Sequence, residues 1–234
     1  MKAARMDRSP GDRITGRIAP VGRLRGSVSG LLHLAAAAAA AAGLAALLVI
    51  SRGGLQKELT LLVYGVSLVL MFSASATYHL VRAKPHVMVW LRRLDHAAIY
   101  FLIAGSYTPV CSHFFSGFWQ KGLLYIVWGM ALVGAAVKIF TVRAPRWITA
   151  GIYLVMGWIC IFAIREMLQS MPPAALAWLI AGGLFYSVGA VVYIAEKPDF
   201  FPGLFGFHEL WHIFVILGAL CHYILVAVFI APAV

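Results

Sequence analysis

Two histidines four residues apart, His208 and His212, open a run of apolar residues long enough to cross a membrane. On a helix that spacing stacks both imidazoles on one face, one turn apart, as a zinc ion held from a single helix requires. Far upstream, Ser75-Ala76-Thr77-Tyr78-His79 closes one hydrophobic segment and Asp95 opens the next. Ionisable side chains inside a bilayer are costly and therefore mark candidate functional positions. Three neutral imidazoles from His79, His208 and His212, with one coordination position left open, describe a catalytic zinc site; a structural site is closed by a fourth protein ligand. Zinc would bring the pKa of a bound water to about 7. Asp95 is then the candidate base, and Ser75, one turn from His79, the candidate hydrogen-bond partner of that water or of an oxyanion. Hydrolysis of an amide or ester at the lipid–water boundary is the reaction such a set suits.

Composition says what must position these groups. The 234 residues are 62% hydrophobic and 12% charged, with a mean hydropathy of +0.90, against roughly 25% charged in a soluble globular protein. A polytopic, all-α membrane protein is expected. Windows of about 20 apolar residues, the length that crosses the hydrocarbon core, fall at 28–50, 58–80, 94–114, 121–142, 147–168, 174–195 and 207–230, giving a seven-helix bundle over 28–234 behind a basic tail, 1–27. Breakers such as Arg52-Gly53-Gly54, Lys84-Pro85, Pro172-Pro173 and Lys197-Pro198-Asp199 fall between the spans. The first apolar run is too long for the hydrophobic core of a cleaved signal. Pro109 is expected to kink the third span, and the alanine run 35–42 to form a packing face in the first.

The net charge of +11 is distributed as a membrane topology signal, which sets nucleic-acid binding aside. With the N-terminus inside, fifteen of the nineteen basic residues lie on the cytoplasmic side: those of the tail, Arg82, Lys84, Arg92, Arg93, Lys138, Arg143, Arg146 and Lys197. Arg52, Lys57, Lys121 and Arg165 remain opposite. The orientation expected is N-terminus cytoplasmic, C-terminus outside, in the cytoplasmic membrane. The second span then runs inward while the third and seventh start inside, so Ser75, His79, Asp95, His208 and His212 share the inner-leaflet level. His222, nearly three turns beyond His212, lies too deep to reach the same ion. His33, His96 and His113 receive no role, and His86 reads as loop. Cys111, Cys160 and Cys221, odd in number and widely spaced, read as buried thiols.

The literal H-E-x-x-H match also suggests a zinc protease with Glu209 as base. That motif needs a third ligand downstream, but residues 213–234 contain no Asp or Glu, and Gly218 stands where a metzincin carries its third histidine. Glu209 also projects about 100° around the helix from His208.

Taken together, Ser75-x-x-x-His79, Leu94-Asp95-His96, Gly105-Ser106-Tyr107-Thr108-Pro109 and His208-x-x-x-His212 resemble the hemolysin III branch of the progestin and adipoQ receptor family, over nearly everything after the tail. The resemblance implies a seven-helix bundle with a cytoplasmic-side zinc on His79, His208 and His212, and Asp95 and Ser75 around the metal water. It also implies kinship with the alkaline ceramidases of the wider superfamily, and hence amide hydrolysis on a lipid, and with branches linked to haemolysis and membrane homeostasis.

The leading expectation is a zinc-dependent lipid hydrolase or a lipid sensor built on the same site. Its partners are membrane lipids, and a lipid or fatty acid is expected in an elongated pocket that runs from the zinc between helices toward the acyl region, lined by Leu, Phe, Val and Gly and open to the bilayer or the cytoplasm. The basic rim of Arg82, Lys84, Arg92 and Arg93 would attract anionic groups to it. The alternatives are a cytolytic pore, which needs a polar lumen through both leaflets, and a receptor with structural zinc.

Overall fold

The computed structural model describes residues 23–141, 144–201 and 205–233. The basic residues of the tail up to Arg17, and Arg143, lie outside that set. Helix α1 spans Arg23–Ile50, α2 Leu55–Leu80, α3 Pro85–Phe114 and α4 Gly117–Phe140. The fifth rod is broken into α5, Arg146–Trp158, a 3-10 segment, Ile159–Ala163, and α6, Ile164–Ser170. Helices α7, Pro173–Ala195, and α8, Phe207–Leu225, follow, and α8 continues as a π-helical stretch, Val226–Ile230. Among the described residues the only strand-like pairing is an isolated bridge between Phe201 and Phe205.

The breakers end the helices as their chemistry dictates. Pro85 and Pro173 stand in the first turns of α3 and α7, where a missing N–H costs nothing. Glu196 closes α7 in the left-handed region at φ 55°, and Lys197-Pro198 then bars continuation. His86, expected in a loop, instead lies in the first turn of α3, because proline at that turn starts the helix early. Helix α3 runs through Pro109 without interruption.

Six of these rods are long and apolar enough to cross a membrane: α1, α2, α4, the broken α5–α6 unit, α7 and α8 with its π-helical end. The remaining rod, α3, is 30 residues long but carries Arg92, Arg93 and Asp95, and falls outside that set. The protein is thus an all-helical, multi-pass membrane protein.

Neighbouring rods alternate in direction. At one end, Arg52 N–H donates to the Ala231 carbonyl at 2.9 Å, and the Lys57 ammonium donates to the carbonyls of Arg52 and Ile230. There too the Ser116 amide and hydroxyl, at the start of α4, donate to Glu166 of α6, each at 2.8 Å. The opposite end collects the C-terminal turns of α2 and the N-terminal turns of α8. The fifth rod breaks where no Pro marks it, and the Tyr107 hydroxyl of α3 serves the break. It lies 2.7 Å from the Gly157 carbonyl and 3.1 Å from that of Met156, and accepts the Cys160 N–H at 3.2 Å. Backbone groups released inside a bilayer need such partners from a neighbouring helix.

Candidate metal centre

The last turns of α2 and the first turns of α8 bring three imidazoles together. His208 Nε2 lies 3.5 Å from His79 Nε2 and 3.2 Å from His212 Nε2, and the candidate ligand atoms of all three fall within 4.8 Å of one another. Zinc–nitrogen bonds of 2.0–2.1 Å directed tetrahedrally put ligand nitrogens about 3.3 Å apart, so the two close separations are those of a tetrahedron's edges. Three nitrogens pointed at one another satisfy no hydrogen-bond pattern that serves all of them, whereas a cation among them would. The residues fit a metal ion.

Helix α1 closes the site from behind. His33 is 2% exposed, its ring centroid 3.9 Å from that of His212 and its edge against Phe72 at 5.2 Å. Gly30, one turn earlier, lets the helix approach α2, since a Cβ there would stand 3.2 Å from His79 Cβ and closer still to the Leu80 side chain. Ser29 donates its hydroxyl to Glu209 at 2.9 Å, while the other Glu209 oxygen accepts the Gly206 N–H at 2.9 Å, capping α8. Glu209 is fully buried and tied to α1 and to its own helix start. The Nδ1 atom of His212 has no hydrogen-bond partner; the His33 ring is what lies against that imidazole.

Asp95 and Ser75 are both buried, 7% and 2% exposed, with the Ser75 side chain in hydrogen-bonding reach of the carboxylate. Asp95 is not one of the converging ligand set. His96 donates Nδ1–H to the Arg92 carbonyl at 3.0 Å, a better bond than its 3.7 Å contact with Asp95. His113 lies at the other end beside Phe114. Cys111, Cys160 and Cys221 are free thiols.

Asp95 and Ser75 also form the end wall of an internal cavity of about 270 Å³, which continues past Leu102 and Val110 to Phe115. Its walls are mostly apolar. His33 reaches it, whereas the three converging imidazoles are not among its walls. Lys138, one of the basic residues assigned to the cytoplasmic side, is only 4% exposed and donates its ammonium to the Thr149 hydroxyl at 2.8 Å; Thr149 is itself part of the cavity wall.

Comparison with known proteins decides the family. Residues 23–223 match the family described as Haemolysin-III related. This chain belongs to the haemolysin III family. Its relatives include the hemolysin-3 of Bacillus cereus, 38% identical over 73% of this chain and 74% of that protein. The hemolysin-3 homolog of Bacillus subtilis (strain 168) is 38% identical over 67% of this chain and 70% of that protein. A Drosophila melanogaster adiponectin receptor protein is 31% identical over 56% of this chain but only 33% of its own length. The match to both bacterial and receptor proteins is that of the haemolysin III branch of the progestin and adipoQ receptor family.

Proposed function

We propose that this haemolysin III protein is a zinc-dependent hydrolase of a lipid amide or ester in the cytoplasmic membrane, with seven spans, its N-terminus inside and its C-terminus outside. The observation that carries the reading is the continuity between a carboxylate and an apolar cavity: Asp95 and Ser75 end a chamber whose remaining walls are mostly hydrocarbon. A single lipid chain fits such a chamber, and water-soluble substrates gain little from it.

His79, His208 and His212 would hold the metal, which when bound supplies Lewis-acid polarisation of a carbonyl and acidification of water. The chain's own residues do the rest. Asp95, buried and next to Ser75, takes a proton from the attacking water and returns it to the leaving group. Ser75 donates its hydroxyl to that carboxylate and so orients it. The cavity aligns the acyl chain so that the scissile carbonyl stops at the Asp95 end. Arg82, Lys84, Arg92 and Arg93 draw anionic headgroups to the same face.

A polar lumen is what a pore requires, and apolar walls disfavour it. A second reading, a receptor with structural zinc, is favoured by the three converging imidazoles not being among the chamber's walls. The test is release of fatty acid from defined N-acyl and O-acyl lipids by the purified, zinc-loaded protein in nanodiscs, alongside the Asp95→Asn variant. Turnover by wild type and its loss in the variant support hydrolysis. No release from either lipid class, with zinc and fold intact, removes the enzyme reading.

A further inference from the structure

The cavity is not uniformly apolar. Far from Asp95, two polar side chains enter its wall, Tyr186 from α7 and His222 from α8. Their rings meet edge to face with centroids 5.5 Å apart. His222 Nε2–H donates to the Leu179 carbonyl at 3.3 Å, which leaves Nδ1 as an unprotonated acceptor. Both residues keep part of their surface accessible. Among the described residues neither His222 Nδ1 nor the Tyr186 hydroxyl has a hydrogen-bond partner.

The pair is built into the helix interface by reciprocal glycines. Gly182 of α7, one turn before Tyr186, faces His222, and a Cβ at Gly182 would run into that imidazole. Gly218 of α8, one turn before His222, faces Tyr186, and a Cβ there would stand 2.8 Å from its ring. Each helix thus gives up a side chain where the other sends in a large polar one. Apolar residues at 186 and 222 would pack the same space; a phenol and an imidazole instead bring one donor and one acceptor into hydrocarbon, at a cost unless something meets them.

We propose that Tyr186 and His222 form a second binding site, which recognises a hydroxyl group carried in the middle of the acyl chain that occupies the cavity. A hydroxyl is the group that fits, since it accepts from the Tyr186 phenol and donates to His222 Nδ1 at once. The position follows from the helix: His222 lies ten residues beyond His212, about 15 Å along α8, roughly half the ~30 Å hydrocarbon core. A chain whose head sits at Asp95 therefore meets this pair in its middle and not near its carbonyl. The site rests on the cavity being a lipid chamber, and adds selectivity for an oxygenated chain.

The experiment measures binding of stearic acid, of stearic acid hydroxylated in mid-chain, and of stearic acid hydroxylated next to the carboxyl, to the zinc-loaded protein in detergent. The first two chains are also tested as simple amides, which separates a free acid from an acyl lipid as the source of the hydroxyl. Two hydrogen bonds made in a dry site give the mid-chain hydroxyl an advantage of about ten-fold in at least one of the two forms. Tyr186→Phe, which keeps the ring and its packing, and His222→Phe abolish that advantage, so that each variant binds the plain and the mid-chain hydroxylated chain equally. The head-end hydroxyl shows no dependence on Tyr186. Equal affinity for plain and mid-chain hydroxylated chains in wild type, or a preference that survives both variants, overturns the second site and leaves the chamber standing. Failure of every chain to bind removes the chamber and the site together.

Discussion

The ring of His33 lies 3.9 Å, centroid to centroid, from that of His212 and is tilted 39° to it. A histidine from the first helix therefore backs a candidate metal ligand from the last. Groups that hold a ligand ring in place commonly alter metal affinity about 10–100-fold when removed. His33→Ala is expected to weaken zinc binding by that order, while His33→Phe, which preserves a flat ring against His212, retains most of it. Chelator competition on the purified variants reads this directly; equal affinity in all three proteins would show the stacking to be incidental.

Zinc content should track the three converging imidazoles. His79→Ala, His208→Ala and His212→Ala are each expected to bring bound zinc from one per chain to well under one, by metal analysis of purified protein. Full occupancy in all three variants would eliminate the site.

Asp95→Asn separates metal binding from chemistry. Because Asp95 lies outside the converging ligand set, zinc is expected to remain. Hydrolysis should fall about 10²–10⁴-fold, as for a lost general base. Unchanged turnover would make Asp95 structural.

Glu209 tests the rival protease pattern. Its carboxylate accepts from Ser29 and from the Gly206 backbone, so its role is to join α1 to the start of α8. Ser29→Ala should lower stability by about 1–3 kcal/mol, the cost of a buried acceptor losing its donor, seen as a lower Tm. Glu209→Gln should keep hydrolysis within a few-fold; activity lost with zinc and fold intact would restore Glu209 as a base.

Tyr107→Phe removes one hydroxyl that serves three backbone groups at the break in the fifth rod. A loss of about 1–3 kcal/mol is expected, measured as the thermal midpoint in detergent, with zinc content unchanged. No shift would mean that the 3-10 segment is held by packing alone.

The apolar windows and the breakers between them located most rods to within a few residues, because length and hydropathy are set locally by the bilayer; α3 is the exception, starting at Pro85 well ahead of the window at 94–114 because the proline opens the helix early. The convergence of His79, His208 and His212 was legible for the same reason: once the spans alternate, residues at span ends share a level. Whether they also share an azimuth around the bundle is a matter of packing, which hydropathy does not encode. His33 shows this, for nothing in its spacing says that α1 turns it toward His212. Glu209 was half legible, since its angle from His208 excluded it as a partner in the metal set but did not disclose Ser29. Lys138 is one of the basic residues assigned to the cytoplasmic side and is buried against Thr149, a tertiary fact. The break at 159–163 has no Pro or Gly-rich signal; its partner, Tyr107, lies 50 residues upstream and on another helix.

That dependence on Tyr107 sets an order of assembly. A rod whose mid-membrane backbone groups rely on a phenol from α3 is poorly self-sufficient when it enters lipid alone. Chain order resolves the difficulty, because α3 is synthesised and inserted before α5 and α6 arrive. The fifth rod is therefore expected to settle against an α3 already in place, and its insertion becomes a step that the earlier half of the protein makes possible.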